Sequence, residues 1–123
     1  MNTLASGVDL IEILRIREAI ERHGVRFLER VFTPKELAEV GGQPPSLAAR
    51  FAAKEAVAKA LGCGIGSVRW QEIEILRSPA GQPTLHLYGA ASQLAAEGNL
   101  TAWSISLSHT QEYAIALAVA SGQ

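Results

Sequence analysis

The chain has 123 residues, enough for one domain built on one core. Apolar residues make up 48% and charged residues 19%, a globular balance that excludes a disordered chain. The net charge of -1 gives no global pull towards nucleic acid or membrane, no apolar run reaches the roughly 18–20 residues of a membrane span, and a basic-then-apolar leader is lacking, so the reading is a cytoplasmic protein.

In chain order, Leu4 to Ile13 reads as a strand, nearly all apolar except Asp9 and Glu12. Leu14 to His23 reads as a helix stopped at Gly24, with a short helical piece at Arg26–Val31. This part carries Arg15, Arg17, Arg22, Arg26 and Arg30 against Glu18, Glu21 and Glu29, a basic stretch on a nearly neutral protein. Thr33-Pro34-Lys35-Glu36 predicts a helix start with a threonine N-cap, a proline in the first turn and a glutamate closing a capping box. That helix ends near Gly41-Gly42. Pro44-Pro45-Ser46 then opens the longest helix, Leu47 to Leu61, closed by Gly62. Ile73 to Leu76 and Pro83 to Leu87 read as short strands joined at Ala80-Gly81. Ala90 to Glu97 reads as a helix ended by Gly98-Asn99. Trp103 to Ser108 and Tyr113 to Val119 alternate as a hairpin. The fold class is α+β, with an antiparallel sheet packed on the long helix and further helices in the N-terminal half.

A few residues sit awkwardly in this scheme. Asp9 lies inside the first strand and faces away from Val8 and Leu10. It is either a functional carboxylate or one on a half-exposed face, because burial of an unpaired charge costs several kcal/mol, roughly. On the long helix, Leu47, Phe51, Val57, Ala58 and Leu61 share one arc at about 100° per residue. Lys54 falls within that arc and Arg50 beside it, so two cations intrude on the apolar face. They are either snorkelling side chains or an anion site that a phosphate would satisfy. Glu55 and Lys59 form an i, i+4 pair at the rim. Gly62-Cys63-Gly64-Ile65-Gly66 permits close backbone approach, yet it has neither P-loop nor dinucleotide spacing. Cys63 is the one cysteine, which excludes an internal disulfide and a multi-cysteine metal site. His109 and Thr110 stand at a strand end beside a loop, a common place for ligand groups. In the last strand Tyr113, Ile115, Leu117 and Val119 alternate with four alanines. The small face suits close approach by the long helix or by another subunit.

These segments match a known family. Gly7-Val8-Asp9-Leu10-Ile11-Glu12, Ala49-Arg50-Phe51-Ala52-Ala53-Lys54-Glu55-Ala56, Lys59-Ala60-Leu61-Gly62, Gly81-x-Pro83 and Ser106-Leu107-Ser108-His109-Thr110 occur in the expected order. So do Arg26-Phe27-x-x-Arg30-Val31-Phe32-Thr33-x-x-Glu36 and Trp70-x-x-Ile73-Glu74-Ile75. Together they resemble the bacterial holo-[acyl-carrier-protein] synthases, the short trimeric class of 4'-phosphopantetheinyl transferases. The resemblance runs from about Leu4 to Val119 and implies a single transferase domain over residues 1–123.

The resemblance implies an enzyme that moves 4'-phosphopantetheine from coenzyme A to a serine of apo-acyl carrier protein in fatty acid biosynthesis. Adenosine 3',5'-bisphosphate leaves. Asp9 and Glu55 match the magnesium ligands. Arg50, Lys54, Lys59, Gly62, Pro83, His109 and Thr110 match positions at the coenzyme A site. Glu55, directly or through a water, is the candidate base, and Lys59 would stabilise charge on the pyrophosphate. Arg15, Arg22 and Arg26 fall to the acidic carrier protein. A homotrimer with sites between subunits is implied, with no nucleic acid and no membrane partner. Cys63 departs from the threonine many relatives carry after the helix glycine. A non-catalytic coenzyme A or nucleotide-binding module, and a metal-dependent phosphohydrolase, are the competing readings.

Overall fold

The computed structural model describes residues 2–123. It runs β1 (Thr3–Glu12), α1 (Ile13–His23), α2 (Val25–Val31), α3 (Pro34–Val40) and α4 (Pro44–Ala60). After a short 3-10 helix at Trp70–Glu72 come β2 (Ile73–Arg77), β3 (Pro83–Leu87), α5 (Gly89–Glu97), β4 (Ala102–His109) and β5 (Tyr113–Gly122). The class is α+β, as the sequence implies. The strands divide into two antiparallel sheets, β1-β5-β4 and β2-β3. The N-terminal strand closes the larger sheet by pairing with β5 along its whole length, from Thr3 opposite Gly122 to Glu12 opposite Tyr113.

Local chemistry sets the helix ends. The Thr33 hydroxyl accepts from the Glu36 amide at 3.2 Å, and Glu36 Oε1 accepts from the Thr33 amide at 2.9 Å. This is the reciprocal capping box that the sequence announces. α4 begins at Pro44 rather than Leu47. First-turn amides have no helical acceptor, so two prolines fit there without loss. The adjoining helix α3 stops at Gly41, which is left-handed at φ 59°.

The larger sheet has two unlike faces. Ala114, Ala116, Ala118 and Ala120 of β5 are buried and lie on the side packed by α4. This assigns the small face to the long helix and not to a subunit contact. Small side chains let helix and sheet approach closely, and Gly7 shows how closely. A Cβ added there would stand 1.9 Å from the Ala56 carbonyl oxygen. The opposite face carries the large residues, with Val8 at 51%, Leu10 at 61% and Leu117 at 43% exposure. Ile13, Ile16, Phe32, Leu47, Val57 and Ile75 fill the main core between α4 and the surrounding helices and strands.

Candidate active site

Asp9 lies on the same face of β1 as Gly7, because strand side chains alternate. That face turns towards α4, and the glycine contact draws the two elements together. Lys59 Nζ then donates to Asp9 Oδ1 at 3.3 Å and to the Val8 carbonyl at 2.9 Å. Glu55, one turn earlier on α4, shares with Asp9 a cavity of about 380 Å³ that Arg15, Ile16 and Phe51 also line. Burial pushes the Glu55 carboxyl above its ordinary range, and the charge of Asp9 pushes the same way, while Lys59 opposes both. Two carboxylates thus converge on one cavity, and the charge of Asp9 disfavours that of Glu55.

A second cavity of about 340 Å³ lies elsewhere and shares no wall residue with the first. Arg50, Arg77, Pro83, Ser106, Ser108 and His109 are among its lining. Arg50 is 3% exposed. Its Nη2 donates to Glu39 Oε1 at 2.8 Å, while Nη1 is buried with no partner among the described residues. An unused N–H of a buried guanidinium beside a cavity is a donor awaiting an acceptor. His109 stands at the end of β4, with Nδ1 3.3 Å from the Thr110 carbonyl oxygen. Pro83 enters from the start of β3, after the turn at Gly81. On α4 the two sites are set apart by geometry. Glu55 follows Arg50 by five residues, which turns it about 140° around the helix axis.

Lys54 is satisfied within the protein. It is 0% exposed and its ammonium is saturated inside the protein. It pairs with Glu36 Oε1 at 2.8 Å and donates to the Trp70 carbonyl at 3.0 Å and to the Ile73 carbonyl. A lysine has three donors, and all are used. The anion on the apolar face beside Lys54 is an internal glutamate. Of the two intruding cations, only Arg50 keeps a free donor.

Other expected residues are distributed unevenly. The Thr110 hydroxyl accepts from the Glu112 and Tyr113 amides at 3.2 and 3.1 Å, so it shapes the β4–β5 turn. Gly62 is left-handed at φ 81° and lines neither cavity. Arg15 joins the Asp9 cavity, whereas Arg26 lines a separate surface pocket with His23, Phe27 and Arg30. Arg22 is exposed in the last turn of α1. Two residues escaped the sequence reading. Arg77 ends β2 at the second cavity, and the signal was a cation directly before the turn that leads to Gly81. Glu39 stands one helical turn after Glu36, and its role had no local signal because its partners lie on other elements.

The chain resembles known proteins along nearly its whole length. The family model of the 4'-phosphopantetheinyl transferase superfamily matches residues 5–118. A holo-[acyl-carrier-protein] synthase of Herpetosiphon aurantiacus is 48% identical over 126 residues, covering 97% of this chain and 99% of that one. One of Dehalococcoides mccartyi is 52% identical over 117 residues, covering 95% and 98%. The crystal structure of Helicobacter pylori holo-[acyl-carrier-protein] synthase in complex with coenzyme A superposes with a TM-score of 0.86 at 34% identity. It covers 94% of this chain and 98% of that chain. The chain belongs to the 4'-phosphopantetheinyl transferase superfamily and, within it, to the holo-[acyl-carrier-protein] synthases.

Proposed function

We propose that this chain is a magnesium-dependent transferase that moves 4'-phosphopantetheine from coenzyme A to a serine of an apo-acyl carrier protein. The observation that carries this reading is the convergence of Asp9 and Glu55 on one cavity, with Lys59 bonded to Asp9. The donor set fits magnesium. A carboxylate whose charge is disfavoured by burial and by a neighbouring carboxylate favours a divalent cation, and magnesium takes one or two carboxylates plus waters and substrate phosphate. Bound there, it would polarise the phosphoryl oxygens of the coenzyme A pyrophosphate.

The chain's own residues supply the rest. Lys59 is half exposed, so its ammonium can follow an arriving phosphate and offset charge as the bond to the leaving phosphate breaks. Glu55, directly or through a water, takes the proton of the attacking serine hydroxyl. The serine oxygen attacks the β-phosphorus and adenosine 3',5'-bisphosphate departs. Arg50 Nη1, with Arg77, Pro83 and His109, offers the second cavity to the nucleotide end of coenzyme A. Arg15, Arg22 and Arg26 present positive charge to an acidic carrier.

Because the two cavities lie on different faces, one active site is completed by two copies of the chain. This supports the trimer that the resemblance implies, with the exposed Val8, Leu10 and Leu117 face as its contact. Among the described residues no helix is long and apolar enough to cross a membrane. The reading is an enzyme of cytoplasmic fatty acid synthesis, one transferase domain over residues 1–123.

The test is intact mass spectrometry of an apo-carrier incubated with the protein, coenzyme A and magnesium. The expected result is a gain of one phosphopantetheine. No gain with several apo-carriers overturns the reading and leaves a binding module. Release of pantetheine phosphate without any carrier turns it to a phosphohydrolase. Asp9→Ala and Glu55→Ala should each lower turnover by at least about 100-fold. Full activity in either removes the metal assignment.

A further inference from the structure

We infer that Glu39 is a positioning residue for coenzyme A binding: it holds Arg50 and the end of β2 so that Arg50 Nη1 meets a phosphate in the second cavity. The inference rests on the coenzyme A reading of that cavity. α3 and α4 carry a ladder of charges in reverse order, Glu36 to Lys54 and Glu39 to Arg50. The first rung is wholly internal. The second is not, because Glu39 is 30% exposed along its side chain and engages only one arm of the guanidinium.

That one-armed contact matters for geometry. A guanidinium is a planar fork, so fixing Nη2 on Glu39 Oε1 at 2.8 Å fixes the plane and therefore the direction of Nη1. Nη1 is buried and has no partner among the described residues. The same carboxylate accepts from the Arg77 amide with Oε1 at 3.0 Å and Oε2 at 3.3 Å. Arg77 lines the cavity and leads into the turn that bears Gly81 and Pro83. Glu39 therefore ties together the α4 wall and the β2–β3 wall. The Glu39 carboxyl, despite burial that raises it, is held below its usual range by the Arg77 amide and by Arg50, so the tie is ionised at neutral pH. Preset donors bind a phosphate without first losing side-chain freedom.

The experiment is calorimetric titration of the purified protein with coenzyme A, without metal, for wild type, Glu39→Ala, Glu39→Gln, Arg50→Ala and the double variant. Glu39→Ala should weaken binding about tenfold. It should raise the KM for coenzyme A far more than it lowers kcat. Glu39→Gln keeps a carbonyl acceptor for Arg50 and should stay within about threefold of wild type. In the Arg50→Ala background, Glu39→Ala should cost clearly less than it does alone, the remainder being its hold on the Arg77 amide. Should Glu39→Ala fail to fold, Glu39→Asp keeps the charge, withdraws its reach and carries the same comparison. Repeating the titration with 3'-dephospho-coenzyme A identifies the phosphate. An effect that vanishes assigns Nη1 to the 3'-phosphate, and one that persists assigns it to the pyrophosphate. Fully additive losses, or tight binding by Glu39→Ala where Arg50→Ala is weak, overturn the inference. An Arg50→Ala protein that binds like wild type overturns the coenzyme A reading of the cavity instead.

Discussion

Glu55 illustrates how a single side chain stores the cost of a site. Its carboxyl lies above its ordinary 4.5 because burial and Asp9 both disfavour its charge, with Lys59 only opposing. Between 4.5 and that raised value the folded protein binds more protons here than the unfolded chain, so stability falls as pH rises through the window. Above the window the penalty is in full force, and below 4.5 it is absent. Without metal, Glu55→Gln should therefore melt a few degrees higher than wild type at neutral pH. The gap should close on acidification below the window. Added magnesium should reverse the order, because only the wild type gains by binding a ligand. Differential scanning fluorimetry in chelator and in magnesium reads both effects. A Glu55→Gln protein that melts lower in chelator removes the repulsion argued here. Strand alternation set Asp9 opposite Val8 and Leu10, but not which of the two faces meets α4. The fate of Lys54 was not legible, because a helical arc shows which way a side chain points and not what waits for it. Glu36 was readable as a cap, yet Oε1 also pairs Lys54 and Oε2 accepts from the Ile75 amide at 2.9 Å.

At the scale of elements, α4 is held by polar contacts as well as by packing. Lys54 joins it to α3 through Glu36 and to the start of β2 through two carbonyls. Nearby, Glu74 accepts from the Thr33 hydroxyl at 2.5 Å and from the Tyr88 hydroxyl at 2.9 Å. The network is buried, so removal of one partner leaves a charge stranded. Lys54→Met should cost about 3–5 kcal/mol in urea unfolding. Glu36→Gln in the same background should recover part of that loss, since the glutamine still accepts and carries no charge. The folded fraction of Lys54→Met should bind coenzyme A normally. Loss of affinity with unchanged stability would restore Lys54 to the ligand site. The ends of α3 and α4 were legible because caps and first-turn prolines act within a few residues. The division of strands into two sheets was not. Pairing of β1 with β5 joins the two ends of the chain, and each strand's own pattern leaves its partner unspecified.

At the scale of the whole molecule, the alternation of β5 was visible from the start, but not the side that faces inward. Alanines are as suited to a subunit contact as to a helix, and only the position of α4 decides the matter. The large face is then left outside, with Val8 and Leu117 as register partners at its centre. Leu117→Glu places a charge in the middle of that face without touching the α4 contact. The variant should keep its secondary structure by circular dichroism and run as a monomer in light scattering. It should lose turnover, because the Asp9 cavity and the Arg50 cavity of one chain do not meet. The sharper measurement is complementation. Asp9→Ala and Arg50→Ala, each impaired alone at limiting coenzyme A, should regain activity when co-expressed, since mixed assemblies contain a site with an intact half from each chain. Activity in the Leu117→Glu monomer, or inert mixed assemblies of demonstrated composition, would show that one chain builds the whole site. The separation of the two cavities would then need a movement of α4 to close it.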